Sequence, residues 1–111
     1  MTIQKKTISP GYAAFMAMQQ AGHMKGSDVV WGTDNICPVK NQAGVETIAK
    51  GVMSSSAGNL EVHLVNDFNA AGDAVWNVVA LVAGDPPVGK IFDYMRSTNT
   101  TVTLADVEII L

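Results

Sequence analysis

The chain is poor in cysteine and in charge. Cys37 is the only cysteine among 111 residues, so an intrachain disulfide and a CxxC metal or redox pair are both excluded. Its apolar neighbours Ile36 and Val39 predict a small buried residue rather than a reactive thiolate. Charged residues make up 15% of the chain, below the roughly 25% that is typical of globular proteins. A surface with so few charges favours association with a partner, first of all another copy of the chain.

Long hydrophobic runs and an overall positive charge are missing as well. No segment approaches the roughly 18 consecutive apolar residues that a membrane-spanning helix needs. The formal net charge is −3 and the pI is near 5.1, which gives no overall basic footprint for nucleic acid. We therefore predict neither a membrane nor a nucleic acid as partner.

The charge that is present is unevenly distributed. Residues 1–27 contain three lysines and no acid, whereas residues 28–111 have a net charge of −6. We interpret residues 1–27 as an N-terminal arm or short helix, with Ser9 at the N-cap and Pro10 at the first helical position. A basic arm can dock on the acidic body of a neighbouring copy. The alternative is that the asymmetry arose by chance in a short segment.

The arm supplies the candidate interface residues. It contains four of the six methionines, and flexible thioethers suit adaptable contact surfaces. The alternative that Met16 and Met18 fill the core of their own chain stays open. The predicted interface residues are Lys5, Lys6, Tyr12, Phe15, Met16, Met18 and Met24.

From residue 28 onward, short apolar stretches alternate with turn residues. The clearest half-buried strand is 59–66, where Leu60, Val62 and Leu64 alternate with polar residues. The apolar run 74–83 is expected to be buried on both faces, or covered by a partner on one. Further strand candidates are 29–31, 36–39, 45–53, 88–95 and 101–111, and the last residues are expected in the core. Six or seven strands predict a mainly β domain over residues 28–111, a small antiparallel β-sandwich or barrel.

Candidate catalytic and metal-binding residues are few. His23 and His63 are the two histidines, and no G-x-S-x-G elbow or H-E-x-x-H helix is present. We predict that His63 is a solvated or hydrogen-bonded strand residue rather than a base. The segment 67–72 matches part of a calcium loop, but Ala71 stands at a ligand position, so a β-turn is favoured. We therefore predict no catalytic residue, no metal site and no cofactor, and hence no enzyme.

Two tryptophans and one sequon complete the set of candidates. Trp76 shares a strand face with Val78 and Val82, so core packing is predicted, with a carbohydrate platform as the alternative. Trp31 has the same two alternatives. The sequence Asn99-Thr100-Thr101 matches a glycosylation sequon, but a turn is the favoured interpretation.

Residues 45–111 resemble small structural proteins of tailed-phage virions, of the spike-base, head-fibre and capsid-decoration (cement) kinds. The resemblance rests on three stretches, which are Ser55–Val62, Ala80–Asp85 before a proline turn, and Ile91 through Thr101 into a final strand. The sequence departs from these families at Asn99, where glycine is common, and in its longer arm.

The resemblance implies a component of the virion without catalytic residues. Such a protein forms a homo-oligomer, with a trimer favoured, and binds other virion proteins such as a major capsid or tail protein. The alternative is a carbohydrate-binding or small-ligand-binding β module. Exposed rings of Trp31 or Trp76 beside Asn and Asp side chains would be the evidence for that alternative.

Overall fold

Short apolar stretches separated by turn residues fold into seven antiparallel strands in the computed structural model, which describes residues 3–6 and 21–111. The strands are β1 (His23–Lys25), β2 (Ile36–Pro38), β3 (Ala49–Ser54), β4 (Gly58–Leu64), β5 (Asn77–Leu81), β6 (Val88–Arg96) and β7 (Val107–Ile110). The helical turns in the described residues are three short 3-10 turns, at Gly26–Asp28, Thr33–Asn35 and Leu104–Asp106.

All seven strands belong to one sheet. Its order is β1-β7-β3-β6-β4-β5, and β2 pairs with β6 outside this path. The long strand β6 has β4 along one edge. Along its other edge it pairs first with β3 and then with β2. Strand β6 is therefore the centre of the sheet, and β1 and β5 are the ends of its path.

The sheet curves around a single main core. Met24 of β1 and Leu81 of β5 belong to the same buried cluster, although their strands lie at opposite ends of the sheet. A flat sheet would hold these side chains far apart, so the sheet must bend, as the intrinsic twist of strands favours. The largest apolar side chains that are fully buried include Phe92, Leu60 and Met95.

The predicted fold class, a mainly β antiparallel domain, is confirmed. The prediction that the last residues are core is confirmed too, since Ile109 and Leu111 are 0% and 3% exposed. The segment 29–31 is not a strand. Strand β1 lies instead within residues 1–27 and pairs with β7. The described end of the predicted arm is thus an edge of the sheet.

Two hairpins of the same construction precede β3 and β5. Each contains the sequence Asn-x-Ala-Gly, beginning at Asn41 and at Asn69. The side-chain oxygen of each asparagine accepts two backbone N–H groups at 2.9 to 3.0 Å, from Ala43 and Val45 or from Ala71 and Asp73. Gly44 and Gly72 have φ of +78° and +86°, which glycine adopts without strain. The second hairpin, residues 67–75, leads into the site described next.

Candidate functional site

Strand β4 is buried on both faces, but only one of them is apolar. Leu60 and Val62 point into the main core, whereas Glu61 and His63 point to the opposite side. Glu61 is 2% exposed and His63 is 0% exposed. On β6, Arg96 lies opposite Glu61, and Tyr94 lies opposite His63. We call this side, formed by Glu61, His63, Tyr94 and Arg96, the polar face of the sheet.

A bulge in β6 adds Asp93 to the polar face. His63 pairs with Tyr94, but the next residue, Leu64, pairs with Phe92, so Asp93 is the extra residue on β6. Its carbonyl oxygen accepts the N–H of Val39 at 2.9 Å. Bulges re-aim side chains in this way. The result is a carboxylate that is 2% exposed and lies beside the His63 ring.

Both nitrogens of the His63 ring are occupied. Nδ1 lies 2.8 Å from Oδ1 of Asp93, and Nε2 lies 3.0 Å from the carbonyl oxygen of Asp67. A carbonyl oxygen can only accept, so Nε2 carries a proton and donates it. Of the two predicted alternatives, a solvated or a hydrogen-bonded strand histidine, the structure shows the hydrogen-bonded one, since the ring is 0% exposed and both of its nitrogens have partners.

Lys6 faces the other oxygen of Asp93. Its ammonium nitrogen lies 3.4 Å from Oδ2, which is buried and makes no hydrogen bond. The backbone N–H of Lys6 also donates to Oδ1 of Asn66 at 2.7 Å. Because a buried carboxylate oxygen needs compensation, Asp93 holds the N-terminal segment against the sheet at Lys6.

Glu61 is the centre of a second polar group. Nε of Arg96 donates to Oε1 at 2.6 Å, and Nδ2 of Asn99 donates to Oε2 at 2.7 Å. Burial acts to raise the pKa of Glu61, but these two hydrogen bonds and the charge of Arg96 outweigh it and hold the pKa below its usual value. Charge-assisted hydrogen bonds of this kind are among the stronger ones in proteins.

Aromatic rings surround His63. The centroids of Phe68, Trp76 and Tyr94 lie 5.2, 5.8 and 6.3 Å from that of His63, each in an edge-to-face arrangement. The guanidinium of Arg96 lies 4.4 Å from the centroid of Trp76, within cation–π range. Burial, followed by the neighbouring carboxylates of Glu46 and Asp93, raises the pKa of Tyr94 to about 12. The polar face is thus covered by rings and loop residues of the same chain.

Trp76 is not a residue of the main core, so the core packing predicted for it is wrong. The residues of β5 that enter the core are Val79 and Leu81. Val78 and Val82, which share the face of Trp76, are 50% and 57% exposed. Trp76 is half-buried on the polar face, under Arg96. Trp31 is half-buried too, and packs against the main core.

The other candidates from the sequence have ordinary structural roles. The segment 67–72 forms the second hairpin, which confirms the turn interpretation. Asn99 donates to Glu61, so its amide is already bound within the chain. Cys37 is buried as predicted, and burial raises the pKa of its thiol. His23 pairs with Glu108 at 2.8 Å on the exposed edge formed by β1.

The predicted interface residues have different outcomes. Tyr12, Phe15, Met16 and Met18 lie outside the described residues. Lys5 is exposed, while Lys6 is bound to Asp93 and Asn66 of its own chain. Met24 is 6% exposed and lies in the main core, because β1 turns its side chain inward between two exposed neighbours. Contact of any of these residues with a partner stays a prediction.

Most of the polar face was not predicted from the sequence. Asp93, Arg96 and Asn99 are far from Glu61 and His63 along the chain, so no local motif connects them. The predicted strand 88–95 contains two charged residues, Lys90 and Asp93, and Arg96 follows it directly. Its pattern does not show that Asp93 is buried whereas Lys90 is exposed.

Searches with the chain found no matching family model, no matching curated protein and no matching solved structure. Within residues 3–6 and 21–111, no three His, Cys, Asp or Glu side chains are grouped so as to hold a metal ion. The same part of the chain has no helix that is long and apolar enough to cross a membrane.

Proposed function

We propose that the chain is a non-enzymatic structural protein of a tailed-phage virion, which associates with itself and binds other virion proteins. The observation that carries the proposal is the outer face of β5. There Val78 is 50% exposed and Ala80 is exposed as well, and Val82, which directly follows the strand, is 57% exposed. All three lie in a run without charge from residue 74 to residue 84. A contiguous apolar strip of this kind is typical of a protein-binding surface.

The hydrogen bonds of the buried polar side chains support a structural role. Glu61 is bound by Arg96 and Asn99, and His63 lies between Asp93 and a backbone carbonyl. The other oxygen of Asp93 faces Lys6. Groups that perform chemistry must instead reach a substrate within hydrogen-bond distance. Here the pairing holds a loop, a turn and the segment around Lys6 on the sheet. The proposal of a capsid-decoration, spike-base or fibre-base role in particular rests on the resemblance of residues 45–111 to such proteins.

The test has two arms. Light scattering on the purified chain is expected to give a mass above the 11.7 kDa of one copy. An antibody against the chain is expected to label phage particles, purified on a density gradient, that carry its gene. A monomer that is also absent from the particles would overturn the proposal. A glycan array that binds the chain through Trp31 would favour the carbohydrate-binding alternative.

A further inference from the structure

Strand β5 is an edge of the sheet with room for another strand. It pairs with β4 on one side, with Leu60 opposite Val79 and Val62 opposite Asn77. Within the described residues, no strand pairs with it on the other side. An open edge of this kind is a template for strand addition.

The hydrogen bonds of β4 show which backbone groups of β5 face this edge. The N–H groups of Asn59 and Glu61 donate to the hydroxyls of Thr101 and Thr100, on the side of β4 that faces away from β5. Leu60 and Val62, which alternate with these residues, therefore direct their backbone groups towards β5. Their partners on β5, Val79 and Asn77, direct theirs towards β4. Because the direction alternates along an antiparallel pair, the β5 residues opposite Asn59 and Glu61 direct their N–H and C=O groups outwards.

Val78 and Ala80 are the β5 residues in this outward position. They present four backbone groups, and their side chains lie on the exposed outer face. The opposite end of the sheet differs in two ways. Strand β1 has only three residues, and His23 and Lys25 are exposed on it, whereas β5 has five uncharged residues. Short, charged edges resist pairing, and longer apolar edges favour it.

We infer that β5 pairs with β5 of a second copy of the chain, antiparallel and about a two-fold axis, so that two sheets join into one. This inference rests on the self-association in the proposed function and names the surface that produces it. With Val79 on the axis, Val78 of each copy exchanges two hydrogen bonds with Ala80 of the other. The edge is therefore its own complement, as an interface between two identical copies requires.

The charges around β5 give this pairing a recognisable dependence on salt. Asp73 and Asp85 flank the uncharged run, and the pairing brings flanking acids of the two copies towards each other. Salt screens that repulsion and strengthens apolar association. Docking of the lysines of residues 1–27 on an acidic neighbour would weaken with salt instead. Association through β5 is therefore expected to persist or to tighten as salt is added.

The experiment compares two double variants of the full chain by sedimentation velocity. Val78→Lys with Val82→Lys places like charges on the proposed interface and is expected to weaken dimerisation by at least about tenfold. The matched control is Val30→Lys with Val45→Lys, at valines that are 74% and 59% exposed, and it should associate like the unchanged chain. Thermal unfolding of both variants checks that they fold.

Hydrogen exchange supplies a second measurement. The Val78 and Ala80 amides should exchange slowly in the dimer and quickly in the Val78→Lys, Val82→Lys variant. A monomer in which these amides are nevertheless protected would show that a segment of the same chain covers the edge, and would overturn the inference.

The remaining outcomes separate the inference from the proposed function. If the two lysines leave self-association unchanged, or if light scattering gives three copies, pairing through β5 is overturned and the proposed function stands. A chain that is monomeric with fast exchange at Val78 and Ala80 removes the pairing and the self-association together. Labelling of phage particles would then test the other part of the proposed function, which is that the chain is a component of the virion.

Discussion

The two faces of β4 are buried to a similar degree but by different interactions. Leu60 and Val62 are 0% exposed and belong to the hydrophobic cluster of the main core. Glu61 and His63 are just as inaccessible, but each is held by specific donors and acceptors. Apolar contact is non-directional, whereas a buried polar group is costly unless its own partner is in place. The polar face therefore fixes the positions of segments that the core does not reach.

The largest effect is expected from removal of Asp93. Asp93→Ala leaves Nδ1 of His63 without its partner and Lys6 without its counter-charge, and should reduce the free energy of unfolding by about 3 kcal/mol. Urea denaturation measures this change. The control is Asp28→Ala at an exposed position of a 3-10 turn, where a change within about 0.5 kcal/mol is expected.

A double variant sharpens the same test. If His63 and Asp93 matter because each compensates the other, His63→Leu with Asp93→Leu should be closer in stability to the unchanged chain than Asp93→Ala is. An Asp93→Ala variant as stable as Asp28→Ala would instead show that the polar face contributes no more than ordinary surface residues.

A smaller and pH-dependent effect is expected at Glu61. Its pKa in the folded chain is lowered from 4.5, so its stabilisation is complete above that pH and is lost as the pH falls through the lowered folded pKa. Glu61→Gln should therefore cost about 2 kcal/mol at neutral pH, and less in acid. Urea denaturation at both pH values gives the difference. A cost that does not change with pH would contradict the charged pairing with Arg96.

The smallest effect is expected from the hairpin that covers the polar face. Asn69→Ala removes the acceptor of two N–H groups and should cost about 1 kcal/mol. It should also shift the NMR signal of the Trp76 indole N–H, because residues 67–75 lead directly into Trp76. Asn41→Ala removes the same interactions from the other hairpin and is the matched control. An equal shift of the Trp76 signal in both variants would show that the second hairpin has no special connection with the polar face.

Alternation of apolar and polar residues in 59–66 correctly predicted a strand, although both faces of β4 are buried rather than one. A last strand was also predicted correctly, but it is confined to Val107–Ile110 within the predicted range 101–111, because a 3-10 turn occupies Leu104–Asp106. Turn chemistry correctly predicted the hairpin at 67–72. The same methods failed at β1, because the three residues His23–Lys25 are too few to show a period. They also failed at Trp76, because alternation shows which residues share a face but not which face is inward.

The sequence by itself determined the fold class and the few charges at the surface, since both follow from local composition and period. It also determined that the run 74–84, which contains β5, carries no charge. Only the tertiary structure decided that Glu61 and His63 are buried, since their partners Arg96, Asn99 and Asp93 come from β6 and the turn after it. It also decided that β5 is an edge. Both facts depend on which strands become neighbours, and that is set by packing around the whole core rather than by any one segment.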